Sequence, residues 1–116
     1  MTPKYRDEER LELILELISH IDRRLEDMDQ ARFESDRDEI DLTAFRLEHI
    51  GESCKKLSSD IRERHAHIAW PEIYAMRNLL AHDYGAIIAT RLWKSATSEL
   101  APLIVMCQTE LVRIRK

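Results

Sequence analysis

Side chains suited to acid–base chemistry and phosphate binding are concentrated in one short segment, where Arg77, Asn78, His82 and Tyr84 lie within eight residues. Arginine presents a planar fork of N–H donors that matches a phosphate group. Histidine titrates near neutral pH and can accept or release a proton. Together they suit cleavage of an RNA phosphodiester by the neighbouring 2′-hydroxyl, which needs acid–base help and charge stabilisation but no metal.

The segment is predicted to be a helix over Tyr74–Asp83, because it contains neither glycine nor proline. Pro71 falls where a first-turn proline is tolerated, and Gly85 follows as a stop signal. Arg77, Asn78 and His82 are therefore expected to be held on one regular element, and Tyr84 directly follows it.

One face of this predicted helix carries the polar groups. At about 100° per residue, Asn78 lies near 100° and His82 near 140° from Arg77, with Ala81 between them. Asn78 and His82 are four residues apart and can touch, while Ala81 leaves room for a ligand atom. The apolar side chains fall in the opposite sector and are expected to face the core: Ile73, Met76, Leu79 and Leu80. Since one arginine and one histidine are also ordinary surface residues, the spacing alone does not decide the matter.

The flanking sequence resembles a known family. The segment WPEIYAM (70–76) runs directly into RNLLAHDYG (77–85), and LEHIGESCKKLS (47–58) lies upstream. Both segments resemble the HepT-like proteins of the HEPN superfamily, which are small all-helical bacterial ribonuclease toxins. The family's hallmark is an arginine, four residues, a histidine, one residue and a tyrosine, matched here by Arg77, His82 and Tyr84. Two small departures are the Ser-Cys pair at 53–54, where alanines are more usual, and Asp83 at the variable position.

The resemblance implies a fold and an assembly. It implies an all-α, HEPN-like, antiparallel bundle of four long helices plus a short connector, formed by a single domain over residues 1–116. HepT-like toxins are homodimers in which the two motifs face each other across a cleft that forms the RNase site. The toxin is paired with a minimal nucleotidyltransferase antitoxin that adenylylates the motif tyrosine, here Tyr84.

The function expected from the residues and the resemblance together is that of a metal-independent endoribonuclease toxin acting on RNA without a cofactor. His82 is the expected acid–base residue, and Arg77 the group that binds the scissile phosphate. Asn78 is expected to orient His82 or bond the substrate, and Ala81 and Gly51 are expected to border the cleft. The alternative, a non-catalytic helical partner that docks a nucleotidyltransferase and helps it bind its nucleotide, would not need the complete Arg77–His82 pair.

Composition favours helices and one domain. The chain has 116 residues, 34% of them charged, with only two glycines and three prolines. Cys54 and Cys107 are too few and too far apart for a disulfide scaffold or a zinc site, and their place on apolar stripes predicts buried, reduced thiols. No apolar run is long enough to cross a membrane and no signal peptide is evident, so a cytoplasmic protein is expected.

The net charge of −4 argues mildly against broad nucleic-acid affinity. Two basic stretches are expected to be solvated helix surfaces, at 55–64 and 113–116. The histidines of the His-Ala-His sequence at 65–67 have no third ligand nearby and are expected to lie in a loop rather than bind a metal.

Four long helices are predicted from the spacing of apolar residues. The first runs over about Tyr5–Met28, and a polar connector around Phe33 follows. The second begins near Asp38 or Asp41 and ends near Leu57, with a buried stripe and a second apolar edge at Leu42, Phe45 and His49 that faces a partner. After a short continuation at 59–64 and the motif helix, the last helix is predicted from Ile87 or Ile88 to the C-terminus, kinked at Pro102 because proline lacks an N–H.

Overall fold

Helices make up nearly all of residues 3–116, the part of the chain that this computed structural model describes, with side chains from Arg6 onward. Within that part there are seven α-helices, one 3₁₀ turn and no strand. The helices are α1 (Pro3–Leu25), α2 (Gln30–Glu34), α3 (Arg37–Lys55), α4 (Ser59–Arg64), α5 (Trp70–His82), α6 (Ala89–Ser98) and α7 (Ala101–Arg115), and the 3₁₀ turn spans Tyr84–Ala86. The predicted all-α class is confirmed.

The helix α3 lies at the centre of the fold, in contact with α1 on one side and α5 on the other, while α7 packs on α1. Most of the apolar stripe that predicts α1 is buried: Leu11, Ile14, Ile18, Ile21 and Leu25. The helix ends at Leu25, so Met28, the predicted end of the helix and of its stripe, lies beyond α1 and is half-buried. The stripe predicted on α3 is buried as well: Ile40, Leu47, Ile50, Cys54 and the following Leu57. Its second edge is accessible, and Phe45 exposes 57% of its surface.

The predicted polar connector is the short helix α2, which packs through its one aromatic residue. Phe33 is completely buried and its ring lies 5.3 Å from that of Trp93 on α6. Two aspartates cap the neighbouring helices, because Asp29 accepts the backbone N–H of Arg32, and Asp36 accepts those of the first residues of α3. The Asp36 cap starts α3 at Arg37, slightly before the predicted beginning.

The prediction of one long C-terminal helix with a kink at Pro102 is wrong, because the chain forms two helices there. Helix α6 ends at Ser98, and α7 begins at Ala101 with Pro102 in its first turn. A proline in the first turn forfeits no intrahelical hydrogen bond, whereas in a continuous helix it would clash with the carbonyl four residues earlier. The expected arrangement of four long helices plus one connector is therefore replaced by a longer series of helices.

A buried carboxylate ties the end of α4 to α7. Glu110 is fully buried and contacts Arg64 Nη2 at 2.6 Å and His65 Nε2 at 2.7 Å. Burial on its own would raise the pKa of Glu110, but the hydrogen bonds from Arg64 and His65 outweigh it and hold that pKa below its usual value. The His65 carbonyl also accepts the indole N–H of Trp70 at 3.1 Å. This cluster therefore fixes the point at which α5 begins.

Cys54 and Cys107 are buried free thiols, as predicted, and burial raises the pKa of each to about 12. Within residues 3–116 no cluster of three His, Cys, Asp or Glu side chains is arranged to hold a metal ion. None of the described helices is both long enough and apolar enough to span a membrane.

Candidate functional site

The polar motif lies on the last two turns of α5 and on the 3₁₀ turn that follows. The helix begins at Trp70, four residues before its predicted start, because Pro71 takes its place in the first turn. It ends at His82, where Asp83 leaves helical geometry with φ −147° and ψ 49°. Tyr84 then opens the 3₁₀ turn, so Arg77, Asn78 and His82 share one helix and Tyr84 does not.

The helices α3 and α5 approach each other closely at Gly51. A Cβ atom built on Gly51 would lie 2.7 Å from the Cβ of Arg77 and 3.1 Å from its Cγ. Real Cβ atoms essentially never approach that closely, and here the neighbour is the rigid base of the side chain rather than its flexible end. Gly51 therefore permits close helix approach, and it borders the candidate site by making room for the stem of Arg77.

The guanidinium of Arg77 is held by an acidic residue of α3. Its Nη2 lies 2.6 Å from Glu52 Oε2, and its Nη1 donates to Asn78 Oδ1 at 3.2 Å. Lys56 Nζ contacts the other oxygen of Glu52 at 3.4 Å. Partial burial on its own would raise the pKa of the Glu52 carboxyl, but the hydrogen bond from Lys56 and the charge of Arg77 outweigh it and hold that pKa below its usual value.

The hydrogen bonding of this pair is incomplete within the described residues. Glu52 Oε2 and Arg77 Nε are both shielded from solvent, yet neither has an aligned hydrogen-bond partner there. The 2.6 Å contact between Arg77 Nη2 and Glu52 Oε2 is therefore an ion pair without good hydrogen-bond alignment. An arginine has five N–H donors, two of them on each terminal nitrogen, so the contacts with Glu52 and Asn78 leave a second N–H on each of Nη1 and Nη2.

The predicted division of α5 into an apolar and a polar face is wrong for Arg77 and Leu79. Arg77 points towards α3, and only 21% of its side chain is exposed. Leu80 is buried as predicted, but Leu79 is only half-buried. The side of α5 that carries Leu80 and Arg77 faces α3, because Gly51 leaves room there for the base of the Arg77 side chain.

His82 and Asn78 are exposed, and Ala81 between them is half-buried. Among the residues that the structure describes, no hydrogen bond joins Asn78 to His82, because the Asn78 carbonyl accepts from Arg77 instead. The five residues from Arg77 to His82 correspond to about 140° around the helix and about 7.5 Å along it. The Arg77 and Asn78 side chains are therefore in contact, whereas His82 leaves the helix in a direction far from that of Arg77.

Tyr84 is anchored to the first part of α3. Its hydroxyl donates a hydrogen bond to Asp41, and the Arg37 guanidinium lies 5.2 Å from the centre of its ring. Burial and, after it, the hydrogen bond to Asp41 raise the pKa of Tyr84 above its usual value, so the phenol keeps its proton at neutral pH. Asp41 precedes Glu52 by eleven residues, about 16 Å along α3. The Tyr84 hydroxyl and the Arg77 guanidinium are therefore held at separate points along α3.

A shallow cavity of about 230 Å³ separates Tyr84 from the exposed edge of α3. Its wall includes Asp41, Phe45, Glu48 and Leu80. The Phe45 ring lies 4.3 Å from the ring of His49, so the two cover each other on the surface. A large aromatic side chain that remains exposed beside the motif helix is a candidate contact for another protein chain.

The sequence does not predict the part that two acidic residues play in the site. Glu52 holds Arg77 and Asp41 holds Tyr84, but both lie on α3, more than twenty residues before their partners. The only local signal is that Glu52 follows Gly51 in the quoted upstream segment. A pairing of this kind becomes visible only when the register of α3 against α5 is known.

Comparison with known proteins shows the family of the chain. The family model described as "Ribonuclease HepT-like" matches residues 14–110. A "Putative RNase" of Methanocaldococcus jannaschii is 41% identical over 54 residues, 47% of this chain and 47% of that protein. A "Putative RNase" of Caldanaerobacter subterraneus subsp. tengcongensis is 37% identical over 57 residues, 49% and 51% of the two chains.

A third relative is the "Probable ribonuclease HepT" of Thermococcus cleftensis, 35% identical over 57 residues, which are 49% of this chain and 52% of that protein. The matched part of the chain thus spans about half the length of each of these relatives. No solved structure matches the chain.

The close approach at Gly51 generates the first prediction. Gly51→Ala would gain about 1 kcal/mol of helix propensity but should still lower the free energy of unfolding, because overpacking costs roughly 1–3 kcal/mol. Gly85→Ala is the matched control, since nothing lies within 4 Å of a Cβ at Gly85. Urea unfolding of both variants tests this. A Gly51→Ala protein as stable as the wild type would contradict the close contact.

Proposed function

We propose that this chain, which belongs to the ribonuclease HepT-like family, is a metal-independent endoribonuclease and the toxin of a two-gene toxin–antitoxin module. The observation that carries the proposal is the state of Arg77. It is a mostly buried guanidinium, held by Glu52 and Asn78, and each of its terminal nitrogens carries a second N–H that a phosphate could accept from. An exposed histidine, His82, follows one and a half turns later on the same helix.

The proposed reaction is an internal transfer of the phosphodiester. The 2′-oxygen attacks phosphorus, the bond from phosphorus to the 5′-oxygen breaks, and a 2′,3′-cyclic phosphate and a 5′-hydroxyl are formed. One His82 imidazole takes the proton of the 2′-hydroxyl, and a protonated one gives a proton to the leaving 5′-oxygen. Arg77 stabilises the charge that develops on the non-bridging oxygens. Asn78 supports this by holding Arg77 through its carbonyl, in place of the predicted bond to His82.

The active unit is proposed to be a homodimer with the two α5 helices facing each other. Each chain supplies one His82, and a single histidine does not readily act as base and acid on opposite sides of one phosphate. A two-fold axis beside α5 would bring two copies of each group to one cleft. The exposed Phe45, at the α3 edge next to α5, would then be buried between the two copies.

The catalytic assignment is tested by cleavage of a labelled RNA in EDTA. His82→Ala should remove cleavage while leaving the fold intact, because His82 is exposed. Arg77→Ala should do the same, and Arg77→Lys should retain little activity because a point charge does not replace the planar fork. Typical losses for an acid–base residue are about 10²–10⁴-fold. The exposed loop residue His67 supplies the control, since His67→Ala should cleave normally.

Light scattering of the same samples should give a dimer at micromolar concentration, and mass spectrometry of the product should give a cyclic phosphate. Full cleavage by His82→Ala would remove the catalytic role of His82. A strict requirement for a divalent ion in cleavage would refute the metal-independent mechanism. A monomer that still cleaves RNA would refute the shared cleft.

Tyr84 is proposed as the point at which a nucleotidyltransferase antitoxin controls the toxin. Transfer of an adenylyl group from ATP would join the Tyr84 oxygen to the α-phosphorus and release pyrophosphate. It would break the hydrogen bond to Asp41 and place a nucleotide-sized anion two residues from His82 and beside Arg37. Such a group would compete with RNA for the end of α5.

Intact mass measurement after incubation with the cognate nucleotidyltransferase and ATP tests this role. Wild-type protein should gain the mass of AMP and lose RNase activity, and Tyr84→Phe should gain nothing and stay active. Tyr74→Phe is the matched control, because Tyr74 lies on α5 outside the motif and its replacement should leave the modification unchanged. Modification of Tyr84→Phe, or of neither protein, would show that Tyr84 is not the control point.

A further inference from the structure

Basic side chains from three helices surround a concave surface on the opposite side of α3 from Gly51. It lies between the end of α1, α2 and the first half of α3, and encloses about 510 Å³. Its basic wall is formed by His20, Arg23, Arg24, Arg32 and Arg46. We call this surface the arginine cleft. Arg46 lies about 140° around α3 from Gly51, so the cleft is separate from the Arg77 site.

One arginine of the cleft is neutralised inside the fold. Arg24 donates to both oxygens of Glu39, with distances of 2.7 to 3.1 Å, and Glu39 is only 5% exposed. This bidentate pair joins the end of α1 to α3 and satisfies the one buried carboxylate of the cleft. The charge of Arg24 is thereby balanced by Glu39.

The other three arginines keep their charge available. Arg23 Nη2 lies 2.9 Å from His20 Nδ1, and Arg46 Nη1 donates to the backbone carbonyl of His20 at 3.3 Å. Arg32 is exposed on α2. Within residues 3–116 none of these three guanidiniums forms an ion pair with a carboxylate, although Asp27 also lines the cleft. Neutral partners therefore position Arg23 and Arg46 without cancelling their charge.

Several basic side chains outside the cleft are instead paired with carboxylates. Arg64 is paired with Glu110, and Arg115 with Glu8 and Glu12, so these members of the basic stretches seen in the sequence are largely neutralised. The chain as a whole carries a net charge of −4. A cluster of three guanidiniums that remains without carboxylate partners in such a protein produces a local positive field that favours an anionic ligand.

We propose that the arginine cleft binds the phosphodiester backbone of the RNA substrate at a distance from the cleavage site, an inference that rests on the proposed ribonuclease function. Planar guanidinium forks suit phosphate oxygens. Because the three guanidiniums come from three helices around an open surface, they fit successive phosphates of an RNA strand better than they fit one enclosed ion. Met28 is the one apolar side chain of the wall, and no phenylalanine, tyrosine or tryptophan lines it, so we expect the arginine contacts to phosphates to be independent of base sequence.

The test measures binding of a labelled 2′-O-methyl RNA, which lacks the attacking hydroxyl, as a function of salt. The variant Arg23→Gln/Arg32→Gln/Arg46→Gln retains a donor at position 46 for the His20 carbonyl. Its affinity should fall at least tenfold at 0.1 M salt, and the slope of log K against log salt should become shallower by up to about 2, since each phosphate contact contributes roughly 0.7 on a single strand. The control variant removes three charges elsewhere, with Arg6→Gln, Lys94→Gln and Lys116→Gln, and should keep nearly the wild-type slope.

Cleavage of ordinary RNA gives an independent measurement. The cleft variant should raise KM and leave kcat unchanged, because the contact is the same in the ground state and the transition state. Equal loss of affinity in both triple variants, a wild-type slope in the cleft variant, or a wild-type protein that binds no RNA would overturn the proposal.

Wild-type protein that binds 2′-O-methyl RNA with the predicted slope but does not cleave RNA would refute the ribonuclease function and leave the cleft assignment standing. If the triple variant does not fold, Arg32→Glu alone decides the question. Arg32 is exposed, and reversing its charge should weaken binding by more than Arg32→Gln does. Equal binding by the wild type and Arg32→Glu would contradict the assignment.

Discussion

The close contact between Gly51 on α3 and the stem of Arg77 on α5 is the constraint on which the rest of the site depends. It sets how deeply α5 sits on α3 and which sector of α5 faces inward. Because the two helices are in register at this point, Glu52 meets the guanidinium of Arg77 and, about three turns earlier on α3, Asp41 meets Tyr84. One residue without a side chain thus fixes the positions of an arginine and a tyrosine seven residues apart.

The surrounding helices hold this register from outside. The buried Glu110 joins Arg64 and His65 to α7, and the His65 carbonyl receives the indole N–H at the start of α5. A buried carboxylate that loses its partners is strongly unfavourable, so this cluster resists local opening at the start of the motif helix. The motif end of α5 has no comparable buried anchor. Its last residue is exposed, and the 3₁₀ turn is held through the half-buried Tyr84, which suits the substrate and regulatory contacts that are proposed for this segment.

Much of the helical framework is predictable from the sequence, because apolar residues at intervals of three and four mark α1 and α3 and the aspartates cap the helices that they precede. The direction of Arg77 was not predictable, because angles around one helix do not reveal where the neighbouring helix has a glycine. The sequence predicts a kink at Pro102 instead of the observed break between α6 and α7. The apolar spacing does not distinguish a proline inside a helix from a proline in the first turn of a new helix. The arginine cleft was not predictable, because its arginines come from three different helices. The sequence shows only those basic residues that are adjacent along the chain.

The central claim is that Glu52 positions Arg77 for its action on phosphate, and a double-mutant cycle on cleavage tests it most directly. The four proteins are the wild type, Glu52→Gln, Arg77→Lys and the double variant. If Glu52 acts through Arg77, Glu52→Gln should lower kcat/KM by about tenfold, equivalent to roughly 1.4 kcal/mol, and should cost little more once Arg77 is already lysine. Wild-type kcat/KM in Glu52→Gln, or losses that add fully in the double variant, would contradict the account.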